Sequence, residues 1–168
     1  MGHEHNNIIL IGMPGVGKST IGVVLAKIMG YQFIDADLLI QEQEQCLLKD
    51  IIAKKGIDGF IEIENQVNRE IEADRTIIAT GGSVVYGREA MEHLKQIGTV
   101  IYLKLDYQAL KKRLGNIKNR GVVTRKGQDL KALYDERTPL YEKYADIVVD
   151  ENNRNIEETI DELLHKVK

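Results

Sequence analysis

Eight consecutive residues near the start of the chain, Gly12-Met13-Pro14-Gly15-Val16-Gly17-Lys18-Ser19, have the types and spacing of a phosphate cradle. Successive backbone N–H groups can point inward at phosphate oxygens only where the dihedrals are left-handed, and a β-carbon obstructs those. Lys18 is long enough to reach β- and γ-phosphates, and the Ser19 hydroxyl can join a Mg²⁺ shell. Gly12, Gly15, Val16, Gly17, Lys18, Ser19 and Thr20 are therefore the candidate nucleotide-binding residues, with ATP as the expected co-substrate and Mg²⁺ as the expected ion.

Two further groupings could complete a phosphoryl-transfer site. In Asp35-Ala36-Asp37, residues i and i+2 of an extended segment point the same way, so both carboxylates can face the phosphate loop. One can hold Mg²⁺ through water and the other can accept a proton from an attacking hydroxyl. Asp37 is also well placed to cap a helix beginning at Leu38. Gly81-Gly82-Ser83 would allow the backbone to approach a ligand closely, and a plain turn reads the same.

These groups need a scaffold that brings strand ends together. Apolar runs alternate with stretches of helical period, the signature of an α/β fold: three layers, α/β/α, around a mainly five-stranded parallel sheet. Strands are expected at 8–11, 31–35, 76–80, 99–105 and 146–149. Helices are expected at 18–29, 38–54, 60–73, 88–96, 107–114 and 155–167, with a break at Gly56 to Gly59. Ile21, Leu25 and Ile28 would share the buried face of the first helix, and Ile156, Ile160, Leu163 and Leu164 that of the last. Residues 129–145 receive no element in this reading. The stretch from Gly115 to Gln128, with Lys118, Arg120, Arg125 and Lys126, reads as a mobile basic lid over roughly 115–128.

The chain has 168 residues, 43% hydrophobic and 29% charged, which suits one domain spanning 1–168. Residues 1–7 read as a loose polar leader, and His3 and His5 on it lack the supporting partners of a metal site. A formal charge of -3 gives no pull toward nucleic acid, and no run of 18 apolar residues is present to cross a bilayer. The single cysteine, Cys46, cannot form an internal disulfide; a monomer in the reducing cytoplasm, acting on a small molecule, is the expectation.

Laid in order, these pieces resemble the shikimate kinases over nearly the whole chain. Phe33-Ile34-Asp35-Ala36-Asp37 looks like the family's second-strand segment, and Ala79-Thr80-Gly81-Gly82 like its glycine-rich substrate loop. Arg137-Thr138-Pro139-Leu140-Tyr141 is similar to the family's Arg-x-Pro-Leu-Tyr segment. The resemblance implies that Asp35 serves the metal, Asp37 binds the substrate hydroxyls, Gly81 and Gly82 line the substrate, and Arg137 holds its carboxylate. It also implies that Arg113 and Arg154 flank the adenine and that Arg120 reaches over the phosphates, making Lys18, Asp37 and Arg120 the catalytic set.

Three positions depart from the family pattern. Ile61 stands where the family carries a second arginine for the carboxylate, which leaves Glu64 without that cation. Ser83 replaces the third glycine of the substrate loop, and Arg120-Gly121-Val122-Val123 replaces Arg-Pro-Leu-Leu in the lid. The expected activity is phosphorylation of shikimate by ATP. A related kinase of another small polyol or hydroxy acid and a catalytically weak nucleotide-binding homologue are the alternatives. A guanine-nucleotide switch is disfavoured, because no Asn-Lys-x-Asp segment occurs.

Overall fold

The computed structural model describes residues 6–114 and 127–167. Its centre is a parallel sheet of five strands: β1 (Asn7–Ile11), β2 (Gln32–Asp35), β3 (Thr76–Ala79), β4 (Gly98–Lys104) and β5 (Ile147–Asp150). Their order is β2-β3-β1-β4-β5, so the chain leaves β1 toward one edge, returns beside it as β3 and continues on its other side as β4. That reversal opens a crevice beyond the carboxyl end of β1, where sheets of this kind receive ligands. Register brings the strand ends together, with Leu10 beside Ala79 and Ala79 beside Asp35.

All five residues of β1 are buried although their side chains alternate between faces, so both faces of the sheet are covered. Helices α1 (Lys18–Met29) and α7 (Ile156–Val167) pack against each other and on the sheet. Helices α4 (Arg88–Ile97) and α6 (Leu130–Tyr144) lie on β4, and α5 (Tyr107–Leu114) packs on α6. Helices α2 (Ala36–Glu44) and α3 (Leu48–Arg69) close a small second cluster around Ile40, Ile51, Phe60 and Val67. Among the described residues no helix is long and apolar enough to cross a membrane.

The architecture is the expected one, and several boundaries differ. The helix expected over 38–54 stops at Gln45, which takes a left-handed conformation (φ 57°) with neither glycine nor proline to mark it. α3 then runs through the expected break: Gly56 alone leaves helical geometry (φ 72°), and Gly59 stays within the helix. Ile28 and Ile156 are 55% and 49% exposed and do not join the faces assigned to them.

Helix α6 occupies the stretch left unassigned. Pro139 lies inside it, lacking the N–H that a helix interior uses, which hides the helix from a propensity reading. The usable signals were Asp129, whose side chain accepts from the Ala132 N–H at 2.8 Å, and the four-residue spacing of buried Leu133, Arg137 and Tyr141.

Asn7, expected in the polar leader, belongs to β1 instead. Asn7 is 1% exposed in β1; its amide donates to the carbonyls of Ala73 (2.8 Å) and Ile97 (2.9 Å) and accepts from the Thr76 N–H at 3.0 Å. One side chain thus ties β1 to the starts of β3 and β4. Asn7→Ala removes three hydrogen bonds at once, two of them buried, so it should cost about 3 kcal/mol of unfolding free energy. Urea denaturation measures it; a loss below about 0.5 kcal/mol, the ordinary range of surface changes, contradicts the role.

Candidate active site

The phosphate loop connects β1 to α1, and its shape depends on glycine at defined points. Gly15 has φ 91°, and a β-carbon there would meet Leu114 Cδ2 at 2.8 Å. Gly17, at φ 93°, is the residue that starts α1, so the helix N-terminus opens directly onto the loop. Lys18 is not the surface ammonium that a loop residue suggests. It is 8% exposed, and its Nζ donates to the carbonyls of Gly12 (2.7 Å) and Met13 (3.0 Å). Burial pulls its pKa down to about 8, against the neighbouring Asp37 carboxylate, which raises it.

At the start of the same helix the Ser19 hydroxyl donates to Asp35 Oδ2 at 3.0 Å. The other oxygen, Asp35 Oδ1, accepts from the N–H groups of Asp37 (3.0 Å) and Leu38 (3.4 Å) and so caps α2. The cap therefore falls on Asp35, not on Asp37 as the sequence suggested, because the helix begins two residues early. A hydroxyl and a carboxylate oxygen brought together are a hard-oxygen donor pair. They fit Mg²⁺, which commonly keeps several waters and takes only one or two protein carboxylates.

Gly81 and Gly82 follow β3 and lie against Asp37, Glu64, Pro14 and Arg137. A β-carbon on Gly81 would lie 2.7 Å from Asp37 Oδ1 and 2.8 Å from Glu64 Oε2; one on Gly82 would lie 2.8 Å from Pro14 Cδ and 2.9 Å from Arg137 Nη1. Here glycine is required by close approach rather than by a turn. A cleft of about 310 Å³ opens among the phosphate loop, Thr20, Asp37 and Thr80 to Gly82. Half-buried Asp37 has its pKa pushed up to about 6, first by burial and then by the charge of Asp35, while Lys18 lowers it.

Arg137 is 1% exposed. Its Nε donates to the Tyr86 hydroxyl at 3.3 Å, and its guanidinium carbon lies 5.4 Å from the centre of the Tyr86 ring. Tyr86 in turn donates to Glu136 on α6, and Tyr141, one turn after Arg137, donates to the Gly82 carbonyl at 2.5 Å. Helix α6 and the glycine loop are thus joined on both sides of the guanidinium.

At the outer side of the phosphate loop, Arg113 Nη1 lies 3.4–3.5 Å from the carbonyls of Gly15 and Val16 and from Glu151 Oε2. Glu151 is 2% exposed; burial raises its pKa to about 7, opposed by Arg113. Arg154 belongs to the same turn, since its N–H donates to the Glu151 carbonyl, while its guanidinium pairs with Glu162 of α7 at 3.8 Å. Arg120 and residues 115–126 of the expected lid lie outside the described residues. At the lid's far end, Gln128 donates to Glu136 at 2.6 Å.

Sequence reasoning missed one contact of consequence. Ser83 donates to Glu64 Oε1 at 2.5 Å, which joins one departure from the family pattern, Ser83, to the carboxyl group that another, Ile61, leaves without a cation. Glu64 is 2% exposed, its Oε2 has no hydrogen-bond partner, and its pKa is pushed up to about 8, chiefly by burial. Ile61, half-buried one turn earlier on α3, supplies no charge. Nineteen residues separate Glu64 from Ser83, and no local spacing rule links them.

With this geometry established, comparison with known proteins identifies the family. The family model described as shikimate kinase matches residues 14–168. A shikimate kinase of Rippkaea orientalis is 38% identical, the match covering 96% of this chain and 87% of that one. Shikimate kinase 2 of Yersinia enterocolitica is 34% identical, covering 94% and 93%. Among solved structures, the shikimate kinase from Acinetobacter baumannii in complex with shikimate superposes with a TM-score of 0.88 at 30% identity, covering 97% of this chain and 93% of that chain. The chain belongs to the shikimate kinase family.

Proposed function

We propose that this chain transfers the γ-phosphoryl group of ATP to a ring hydroxyl of shikimate. The observation that carries the reading is the shared cleft: the phosphate loop, the buried Lys18, Asp37 and the glycine loop all border one space, with Arg137 directly behind Gly82. A phosphoryl donor and a hydroxyl acceptor could meet there without crossing solvent.

Asp37 orients the acceptor hydroxyl and takes its proton. The acceptor oxygen forms its bond to the γ-phosphorus as the bond to the β–γ bridging oxygen breaks, and ADP leaves with that electron pair. Lys18 offsets charge on the β- and γ-phosphates, helped by the loop N–H groups and the start of α1. Mg²⁺, held by Ser19 and through water by Asp35, would neutralise further charge on the phosphate oxygens. Arg137 meets the acceptor's carboxylate, and Gly81 and Gly82 admit its ring against the backbone. Arg113 and Arg154 flank the adenine. Arg120 is assigned to the moving phosphoryl group on the family resemblance alone. A monomer acting in the cytoplasm completes the reading.

One observation favours a second reading. Half-buried Ile61 leaves the acceptor side with Arg137 and no arginine at this position of α3, which would suit another small polyol or hydroxy acid. An acceptor panel read by coupled ADP formation decides between them. Shikimate should give the highest kcat/KM, and a larger value for any other acceptor would replace it.

Two substitutions probe the assigned roles. Lys18→Ala should reduce turnover to below a tenth of wild type and, because the ammonium is buried against two carbonyls, should also lower the melting temperature; activity above a tenth contradicts the role. Asp37→Asn should slow transfer about 100-fold or more while leaving the Kd for ATP within about threefold, and equal loss of both would move Asp37 to the metal or the fold. Ile61→Arg should lower the shikimate KM about tenfold with a smaller change in kcat, since a second charged hydrogen bond reaches the carboxylate. If the pocket instead suits a neutral acceptor, the new charge costs stability and gains no activity.

A further inference from the structure

Among the described residues, the carboxyl group of Glu64 is the buried acid whose surroundings the mechanism leaves unexplained. It lies at 2% exposure with a single neutral donor, the Ser83 hydroxyl on Oε1, while Oε2 has no partner. An ionised carboxylate can accept about four hydrogen bonds, and burying one that receives a single bond is costly. The charged and polar groups around it do not offset that cost. Asp37 of α2 brings a second carboxylate: Asp37 Oδ1 and Glu64 Oε2 each lie within 2.8 Å of the same point beside Gly81. Lys18 at the start of α1 and Arg137 of α6 face it as cations, yet among the described residues no ion pair reaches it. On its own helix, Asn68 donates to the Glu64 backbone carbonyl rather than to the carboxyl group, and Ile61 is apolar.

We propose that Glu64 is an uncharged acid pinned by Ser83, and that this neutral pair positions Asp37 and the glycine loop for the acceptor. Because Ser83 donates to Oε1, the acid proton resides on Oε2, on the side of Gly81 and Asp37. A donor, not a second negative charge, then stands behind the base. The raised pKa of Glu64, about 8, agrees with this arrangement and sets where it ends: the acid is neutral below that pH and ionises above it. Ionisation would place like charges together beside Gly81, so acceptor binding should weaken as pH rises. The positioning claim rests on the reading of the chain as a kinase of shikimate; the protonation claim does not.

The test has a spectroscopic and a kinetic arm. In full-length protein carrying ¹³C-carboxyl glutamate, the resonance that disappears in Glu64→Gln should have the shift of a protonated acid at pH 7 and titrate near pH 8. A carboxylate shift at pH 7 would overturn the proposal. In steady-state kinetics with shikimate, wild-type KM should rise at least about threefold between pH 7 and pH 9, and Glu64→Gln, which keeps a donor but cannot ionise, should lack that rise. Lys18 is present in both proteins, so its own titration cancels in the comparison; the same rise in both overturns the proposal. Ser83→Ala should raise the shikimate KM about fivefold with the ATP KM unchanged, whereas a merely structural role moves both. Absence of any transfer to shikimate by wild type would remove the kinase reading and the positioning claim together, and the carboxyl spectrum would still decide the protonation state.

Discussion

Three ionisable side chains, Lys18, Glu64 and Arg137, are less than a tenth exposed and converge on one short glycine loop that also touches Asp37. Keeping charge in so dry a place is the constraint on which the site depends. Burial moves Lys18 down to about 8, Asp37 up to about 6 and Glu64 up to about 8, each toward its neutral form. Low effective dielectric is also what makes a fixed ammonium or guanidinium effective against developing phosphate charge.

The sheet supplies that environment through its strand order. Placing β1 between β3 and β4 puts the phosphate loop next to the loop that follows β3, and the Thr80 hydroxyl fastens the two by donating to the Leu10 carbonyl at 2.8 Å. Helix α6 closes the third side, its Tyr141 and Arg137 bracketing Gly82. Helix α6 is seated directly on the core: Tyr141 is fully buried and its ring lies 5.2 Å from that of Tyr102 on β4.

The phosphate loop and the carboxylate pair are legible in the sequence because their spacing is local. Gly12 to Ser19 and Asp35 to Asp37 are short segments whose strand and helix context is set by apolar periodicity, and the structure joins them through the Ser19–Asp35 bond. The acceptor half depends on distant contacts. Only the family resemblance points to Arg137, since Pro139 conceals its helix; the Tyr86 hydroxyl and the Ser83–Glu64 bond connect residues 51 and 19 positions apart. The lone cap swap, Asp35 for Asp37, arose because the helix starts within the carboxylate pair itself. In the sequence the polarity of Asn7 outweighs the strand that its amide completes.

The central claim is that this cleft joins a nucleotide phosphate to a hydroxyl of shikimate. Following a mixture of enzyme, Mg-ATP and shikimate by ³¹P NMR tests it without any coupling enzyme. The account predicts a phosphomonoester signal, split by a ring proton, growing in step with the loss of the γ-phosphate and the appearance of ADP. Growth of inorganic phosphate in its place, or an unchanged ATP spectrum, would contradict it.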